Sequence, residues 1–436
     1  MLTFATRLTL SSTACSSIAS GLAKLSAQGF LILLVVLPST SWAQDSSWPQ
    51  ILGPGRDGQA INGSVDASKW AAKAKPEWQY EVGAGFAGVA IEKGKVIAFH
   101  RQGNEELLTA IDINTGQKIW EQSWTASYQA RINPDNGPRC VPTIASDKVV
   151  CYGAAGDTHC VSLEDGKKLW SRPLRKEYKA QDGYFGAGSS PLIVDNQVIV
   201  CLGGREAGIV SLDLNTGKTQ WKSTEYDSSY AAPVLVPSTG GKRVLVVTRL
   251  RTVLLDRVSG EVIDEIAFGQ RGPTVNAATP IRIAKGTFLL TASYGIGATL
   301  LQVTENSLRA VYEGESVLSS QYNTPVLIKN RVVGVDGRED GAAGLVAFDP
   351  VTLETFWNLR NTGTANLLAV NDRVLSLALD GKLTYFDPSG DALKEIGVTQ
   401  LPAGTYRSLP AVTNKGLVVR NNTSTYRSTI SLYKLD

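Results

Sequence analysis

Arginine and aromatic side chains are the residues of this chain best equipped to bind something. Arg139, Arg205, Arg249, Arg251, Arg271, Arg338 and Arg407 fall in long connections between apolar runs, together with Tyr184, Tyr294, Tyr322, Asn276 and Asn323. A guanidinium pairs bidentately with carboxylates and stacks on rings, so this set suits planar or anionic groups. The same loops hold Asp135, Asp182, Glu206, Asp227, Glu339 and Asp340, which are equally able to brace the arginines between neighbouring loops. Catalytic material is scarce. Two histidines, His100 and His159, leave nothing for a His-based triad or a multi-histidine zinc site. Gly83-Ala-Gly-Phe-Ala-Gly88 has dinucleotide-binding spacing, but Gly94 interrupts the helix that would have to follow, and Val89 to Phe99 reads as two short strands. Asp112-Ile-Asn-Thr-Gly116 imitates half a calcium loop without its third acidic position or its closing Glu. Cys151 and Cys160 flank one hairpin, which leaves two states open: a cross-strand disulfide or two buried thiols.

The elements that carry these loops are repeats. Leu108 to Trp120, Val161 to Trp170 and Val210 to Trp221 are one phrase written three times, and weaker copies follow around Ser259-Gly260, Gln302, Asp349-Pro350 and Asp387-Pro388. Successive anchors at Asp112, Leu163, Asp213, Asp256, Gln302, Asp349 and Asp387 step by 38 to 51 residues, the period of a propeller blade. Each repeat has four short β-rich runs separated by Asp-Asn, Gly-Gly and Asn-Thr-Gly turns, which fits antiparallel hairpins. Gly116 and Gly217 supply positive φ in those turns, and Asp112 and Asp213 bond the nearby amides. The spacing then places Trp120, Trp170, Trp221 and Trp357 on outer strands, as wedges between neighbouring blades. The last repeat ends without its fourth strand, while Glu77 to Val82 stands as an orphan strand before the first complete blade, with Trp78 in the wedge position. Pairing the two gives an all-β, eight-bladed propeller of four-stranded antiparallel blades with no open edge.

In such a blade the turns between its first and second and its third and fourth strands share one face, and all other connections share the opposite one. Lysines such as Lys93, Lys118, Lys167 and Lys218 fall on the first face, and the arginines and tyrosines named above fall on the second. The second face also has the longer loops, and function tends to sit on loops carried by a rigid scaffold.

Residues 1–43 read as a secretory leader. Arg7 and Lys24 precede the apolar run Phe30 to Leu37, and Ser41-Trp42-Ala43 offers small residues for cleavage. The run is too short to span a bilayer, so a soluble exported protein without a transmembrane segment is expected, periplasmic or secreted after cleavage near Ala43. Residues 44–76 form an N-terminal arm, punctuated by Gly and Pro, with Trp48 able to dock it on the body; residues 77–436 are the propeller. The chain has 43 Lys plus Arg against 40 Asp plus Glu, and without the leader 41 against 40, so no bulk charge favours nucleic acid.

The phrase Leu-Asp-x-x-Thr-Gly-x-x-x-Trp, repeated behind a leader, resembles the pyrroloquinoline quinone (PQQ)-type β-propeller repeat. That family includes quinoprotein alcohol dehydrogenases and the propeller scaffold of the outer-membrane β-barrel assembly machine. The opening Trp48-Pro-Gln-Ile-Leu-Gly-Pro-Gly-Arg-Asp-Gly58 is also similar to the start of exported PQQ-like proteins of planctomycete-type bacteria. The dehydrogenase branch implies an adjacent Cys-Cys pair beside the quinone, Ca²⁺ ligands and a catalytic Asp. Here Cys140, Cys151, Cys160 and Cys201 are all separated, no Cys-x-x-Cys-His haem signature exists, and no catalytic residue carries over. The resulting expectation is a monomeric, exported, non-catalytic propeller that binds a protein or polysaccharide through its arginine- and aromatic-rich face, with no cofactor assigned. The alternative is a divergent PQQ- and Ca²⁺-dependent oxidoreductase acting on alcohols or sugars.

Overall fold

A computed structural model of the chain describes residues 47–436 except 61, 62, 133 and 182. The leader, its cleavage near Ala43, Cys15 and Asp182 lie outside the described residues. The rest is an eight-bladed β-propeller of four-stranded antiparallel sheets. Blade 1 runs through Ala90–Glu92, Lys95–Gln102, Glu105–Asp112 and Lys118–Thr125, from the axis outward. Blades 2 to 7 repeat this order. The remaining sheet combines Ala411–Thr413, Gly416–Asn422 and Ser428–Tyr433 with Trp78–Val82, which pairs antiparallel to Ser428–Tyr433 from Trp78 opposite Leu432 to Val82 opposite Ser428.

In blades 1, 3, 4 and 6 the turn before the outer strand is built by one aspartate. Asp213 Oδ1 accepts from the backbone N–H groups of Asn215 and Thr216 at 3.0 and 2.8 Å, and Asp112, Asp256 and Asp349 hold equivalent turns. Gly217 closes the turn at φ +69°, where a side chain is strained. It is needed for a second reason, because a Cβ there would lie 2.7 Å from the Trp170 ring of the preceding blade. Trp170 Nε1 donates to Leu214 O at 2.9 Å, so each indole both covers and hydrogen-bonds the next blade's turn. Trp78, Trp120, Trp221 and Trp357 make the same bond to Ile113, Leu163, Arg257 and Pro388.

Blade 7 lacks that tryptophan. Its register places Gly397 opposite Tyr385 where blade 3 has Trp221 opposite Ser211. The arm fills the gap: Ala67 packs on Gly397, and Trp70 Nε1 donates to Leu435 O at 3.2 Å, the bond expected of the missing indole. Residues 71–74 then continue along the outer edge of Lys394–Gln400, with Ala74 N–H donating to Gln400 O and Thr399 Oγ1 to Ala71 O.

Before it reaches that edge the arm occupies the propeller axis. Trp48 exchanges two backbone hydrogen bonds with Ile91 of blade 1, Pro49 O accepts from Ile144 N–H of blade 2, and Gln59–Ala60 pairs in parallel with Ala365–Val370 of blade 7. Between these contacts Ile51 and Leu52 are buried against Ala87, Phe99, Val141 and Ala232. Arg56, 4% exposed, donates to Pro233 O at 2.8 Å and Pro191 O at 2.7 Å, tying blades 3 and 4 to the arm. Burial pushes its pKa down to about 9, so it stays charged at neutral pH. The arm is therefore a loop inserted into the channel: Trp48 runs antiparallel to the inner strand of blade 1, toward the long-loop face, and Gln59 returns toward the turn face.

Candidate functional site

On the long-loop face the channel opens into a cup of about 250 Å³, and Ile51 of the arm lies in its lining and blocks the axis below it. Its wall has a single origin in the repeat. The residue four positions before the inner strand is Phe86, Arg139, Gly188, Tyr230, Ala277, Tyr322 and Arg407 in seven of the blades, and all seven line the cup. Phe185, Tyr294, Gln321, Glu339 and Asn366 complete the polar and aromatic rim.

The rim is held by hydrogen bonds that cross blades. Arg407 forms an ion pair with Glu339 and lies over the Phe86 and Tyr322 rings at 5.3 and 6.0 Å. Tyr322 Oη donates to Glu339 Oε2 at 3.0 Å, Glu339 N–H donates to Gln321 Oε1 at 2.9 Å, and Gln321 Nε2 donates to Tyr294 Oη at 3.0 Å. Arg139 stacks over Phe86 and Tyr128 while its guanidinium donates to Gly137 O and Asp135 O. Tyr230 Oη accepts from Phe185 N–H at 2.8 Å, with the two rings edge to face. Burial pushes the phenols of Tyr230 and Tyr322 up to about 12, so both remain protonated at physiological pH.

A second depression of about 470 Å³ adjoins the cup and shares Tyr230 with it. Arg131, Ile132, Gln181, Tyr184, Asp227 and Arg249 line this groove. Arg249 caps the carbonyls of Gly272 and Thr274 and lies 5.3 Å over the Tyr184 ring, and Tyr184 Oη donates to Gly272 O.

The residues singled out by sequence therefore separate into three places. Arg139, Tyr294, Tyr322 and Arg407 meet in the cup; Tyr184 and Arg249 lie in the groove. Arg338 pairs with Asp340 and stacks on Tyr294 at the rim, while Arg205 and Arg271 are exposed on loops away from the cup lining. Arg251 points outward to Glu265 and Tyr226. Asn276 is buried, its Nδ2 bonded to Thr248 O and Arg249 O, and Asn323 is 1% exposed with neither amide atom hydrogen-bonded. These amides stand behind the rim and do not converge with Asp340. Phe86, Gln321, Asn366 and Ile51 escaped the sequence reading. Phe86 sits in the glycine-rich stretch that had been weighed only as a nucleotide loop. The signal that finds the wall is a proline: Arg139, Gly188, Tyr230, Ala277, Tyr322 and Arg407 each stand three residues before Pro142, Pro191, Pro233, Pro280, Pro325 and Pro410.

The donor set does not fit a Ca²⁺-bound quinone. Calcium takes about six to eight oxygen ligands, whereas the carboxylate lining the cup, Glu339, is committed to Arg407 and Tyr322. Among the described residues no three His, Cys, Asp or Glu side chains converge, and Cys140, Cys151, Cys160 and Cys201 are separate buried thiols.

Three overlapping stretches, residues 63–263, 104–313 and 205–431, match the family PQQ_2, described as outer membrane protein assembly factor BamB. The chain belongs to this family. Among solved structures, the PQQ_2 propeller here is similar to BamB from Moraxella catarrhalis, at 17% identity and a TM-score of 0.59 over 83% of this chain and 98% of that one. It is also similar to the quinohemoprotein alcohol dehydrogenase from Comamonas testosteroni, at 13% identity and 0.64 over 88% and 80%, and to a europium-containing methanol dehydrogenase, at 10% and 0.64 over 86% and 89%. At these identities the likeness carries the PQQ_2 fold alone. No curated protein matches the sequence. Among the described residues no helix is long and apolar enough to cross a membrane.

Proposed function

We propose that this PQQ_2 propeller is an exported binding scaffold whose loop face holds a protein or polymer ligand at the axial cup, without catalysing a reaction on it. The carrying observation is the cup itself: five aromatic rings around about 250 Å³, charged at the rim and closed below by Ile51. A cavity of about 150 Å³ already admits a benzene molecule, so this cup has room for one large side chain or ring. With its axis blocked, it takes an end or a protrusion and cannot thread a polymer. An apolar pocket ringed by polar residues is also the usual seat of a binding hot spot.

Ala277 is half-buried on the cup wall, and Ala277→Trp fills the cavity from a position that tolerates the added volume. Envelope extract passed over the exported protein should leave a partner on the wild type that Ala277→Trp fails to retain; equal retention by both sinks the proposal. The quinone reading keeps one supporting observation, the planar aromatic wall flanked by Arg139 and Arg407. Calorimetric titration with PQQ, with and without Ca²⁺, tests it, and tight Ca²⁺-dependent heat would overturn the scaffold reading.

A further inference from the structure

The groove and the cup adjoin at Tyr230, and their chemistry together selects the occupant. Tyr230 is the shared wall: its ring faces Phe185 on the cup side, and its residue also lines the groove. Gly188 and Ala277 stand on either side of Tyr230 in the ring, and the Tyr230 ring lies across Gly188, where a Cβ would collide with it. Two exposed large apolar side chains, Ile132 at 61% and Tyr184 at 37%, lie in this groove. Single exposed apolar residues need no explanation, but two sharing one depression with an aromatic cup mark an interaction surface.

Charge narrows the class further. Among the described residues, four guanidinium groups, Arg131, Arg139, Arg249 and Arg407, line the joined site against two carboxylates, Asp227 and Glu339. Arg139 and Arg249 are held in place by backbone carbonyls, which fix their geometry. Arg131 is exposed beside Ile132. A surface with this excess favours an anionic partner and disfavours a cationic one.

Resting on the scaffold reading above, we propose that the joined site docks an extended acidic segment of a protein partner. The segment seats one aromatic side chain in the cup and lays its flanking carboxylates along the groove, against Arg131 and Arg249. The cup's volume of about 250 Å³ suits a single ring, the adjoining groove of about 470 Å³ has room for flanking residues, and the fixed guanidiniums suit carboxylates. A neutral glycan would satisfy the rings and leave the charge unanswered.

The test is selection from a library of random twelve-residue peptides on the purified full-length exported protein, followed by affinity measurement of the winners by fluorescence polarisation. The expected result is enrichment of an aromatic residue flanked by Asp or Glu. Affinity should fall at least tenfold in Arg131→Glu and in Ala277→Trp, and severalfold between 50 and 200 mM salt. Arg131 and Ile132 are exposed, so Arg131→Glu and Ile132→Asp keep the fold while changing only the groove. Enrichment of basic or non-aromatic peptides, indifference to Arg131→Glu, or no enrichment at all overturns the inference. If Ala277→Trp still abolishes partner retention from extract while no such peptide is enriched, the acidic-segment inference fails and the scaffold reading stands. If neither effect is seen, both fall.

Discussion

The propeller contains two rings of equivalent positions, one at its rim and one around its axis, and they obey opposite rules. At the rim the same pair recurs: an indole from one blade lies on the turn glycine of the next and donates to its carbonyl, as in Trp120 with Gly166, Trp170 with Gly217 and Trp221 with Gly260. Around the axis the equivalent positions are Phe86, Arg139, Gly188, Tyr230, Ala277, Tyr322 and Arg407, five residue types in seven blades. Neighbouring blades meet the same packing problem at the rim, and five of them, through Trp78, Trp120, Trp170, Trp221 and Trp357, answer it with the same indole. On the proposed scaffold reading a single asymmetric ligand sits on the axis, where the blades are free to contribute different side chains.

The rim rule should break hardest where it is most complete. Trp170→Ala removes a buried indole and its bond to Leu214 O, and should cost about 3 to 5 kcal/mol in urea unfolding. A loss under 1 kcal/mol would remove the wedge from the account of stability. Trp70→Ala sharpens the comparison, because this indole comes from the arm and is half-buried; a loss of about 2 to 3 kcal/mol is expected, and an unchanged midpoint would show that blade 7 needs no wedge. Gly217→Ala forces a side chain into φ +69° and into the Trp170 ring, at about 2 kcal/mol, with Gly240→Ala, in open space, as a control for conformation alone.

A titration separates the rings from the blade interiors. His100 and His159 are buried, His159 stacked on Trp124, and desolvation lowers both to about 3. Between pH 3 and 6.5 the unfolded chain holds protons that the folded protein does not, so stability rises with pH, by up to about 1.4 kcal/mol per unit for each histidine. Glu106 acts in the opposite sense. Burial raises it to about 7, so between pH 4.5 and 7 the folded protein holds the extra proton and stability falls as pH rises. Denaturation at pH 4.5, 5.5 and 6.5 should therefore show a net gain of about 1 kcal/mol per unit, steeper in Glu106→Gln and close to flat in His159→Gln. The smallest stability effect belongs to the axial ring: Ala277→Trp should change the midpoint by under about 1 kcal/mol while abolishing ligand retention.

The uniform ring was legible in the sequence and the varied one only partly so. Trp120, Trp170 and Trp221 follow Asn-Thr-Gly or Asp-Gly turns at fixed distances, and that periodicity gave blade count and strand order. Arg251 was placed on the binding face by loop membership, and Asn276 and Asn323 were grouped with the ligand side chains. Loop membership does not say which way a side chain points, and two residues within a loop separate the axis from a buried amide. The axial course of the arm left no periodic trace, since Ile51, Leu52 and Arg56 occur once and their partners, such as Pro191 and Pro233, lie far along the chain.

The direction in which the arm enters has a practical corollary. Trp48 enters the channel from the turn face and the chain leaves it on the same side, where Asn371 Nδ2 donates to Gly63 O. Whatever is joined upstream of Ser47, an affinity tag, a fluorophore or a surface linker, will hang from the side opposite the cup. A sensor chip loaded through that end presents the loop face outward to the solution, whereas a linker on Tyr426, in an exposed loop of the last blade, would tilt it toward the support.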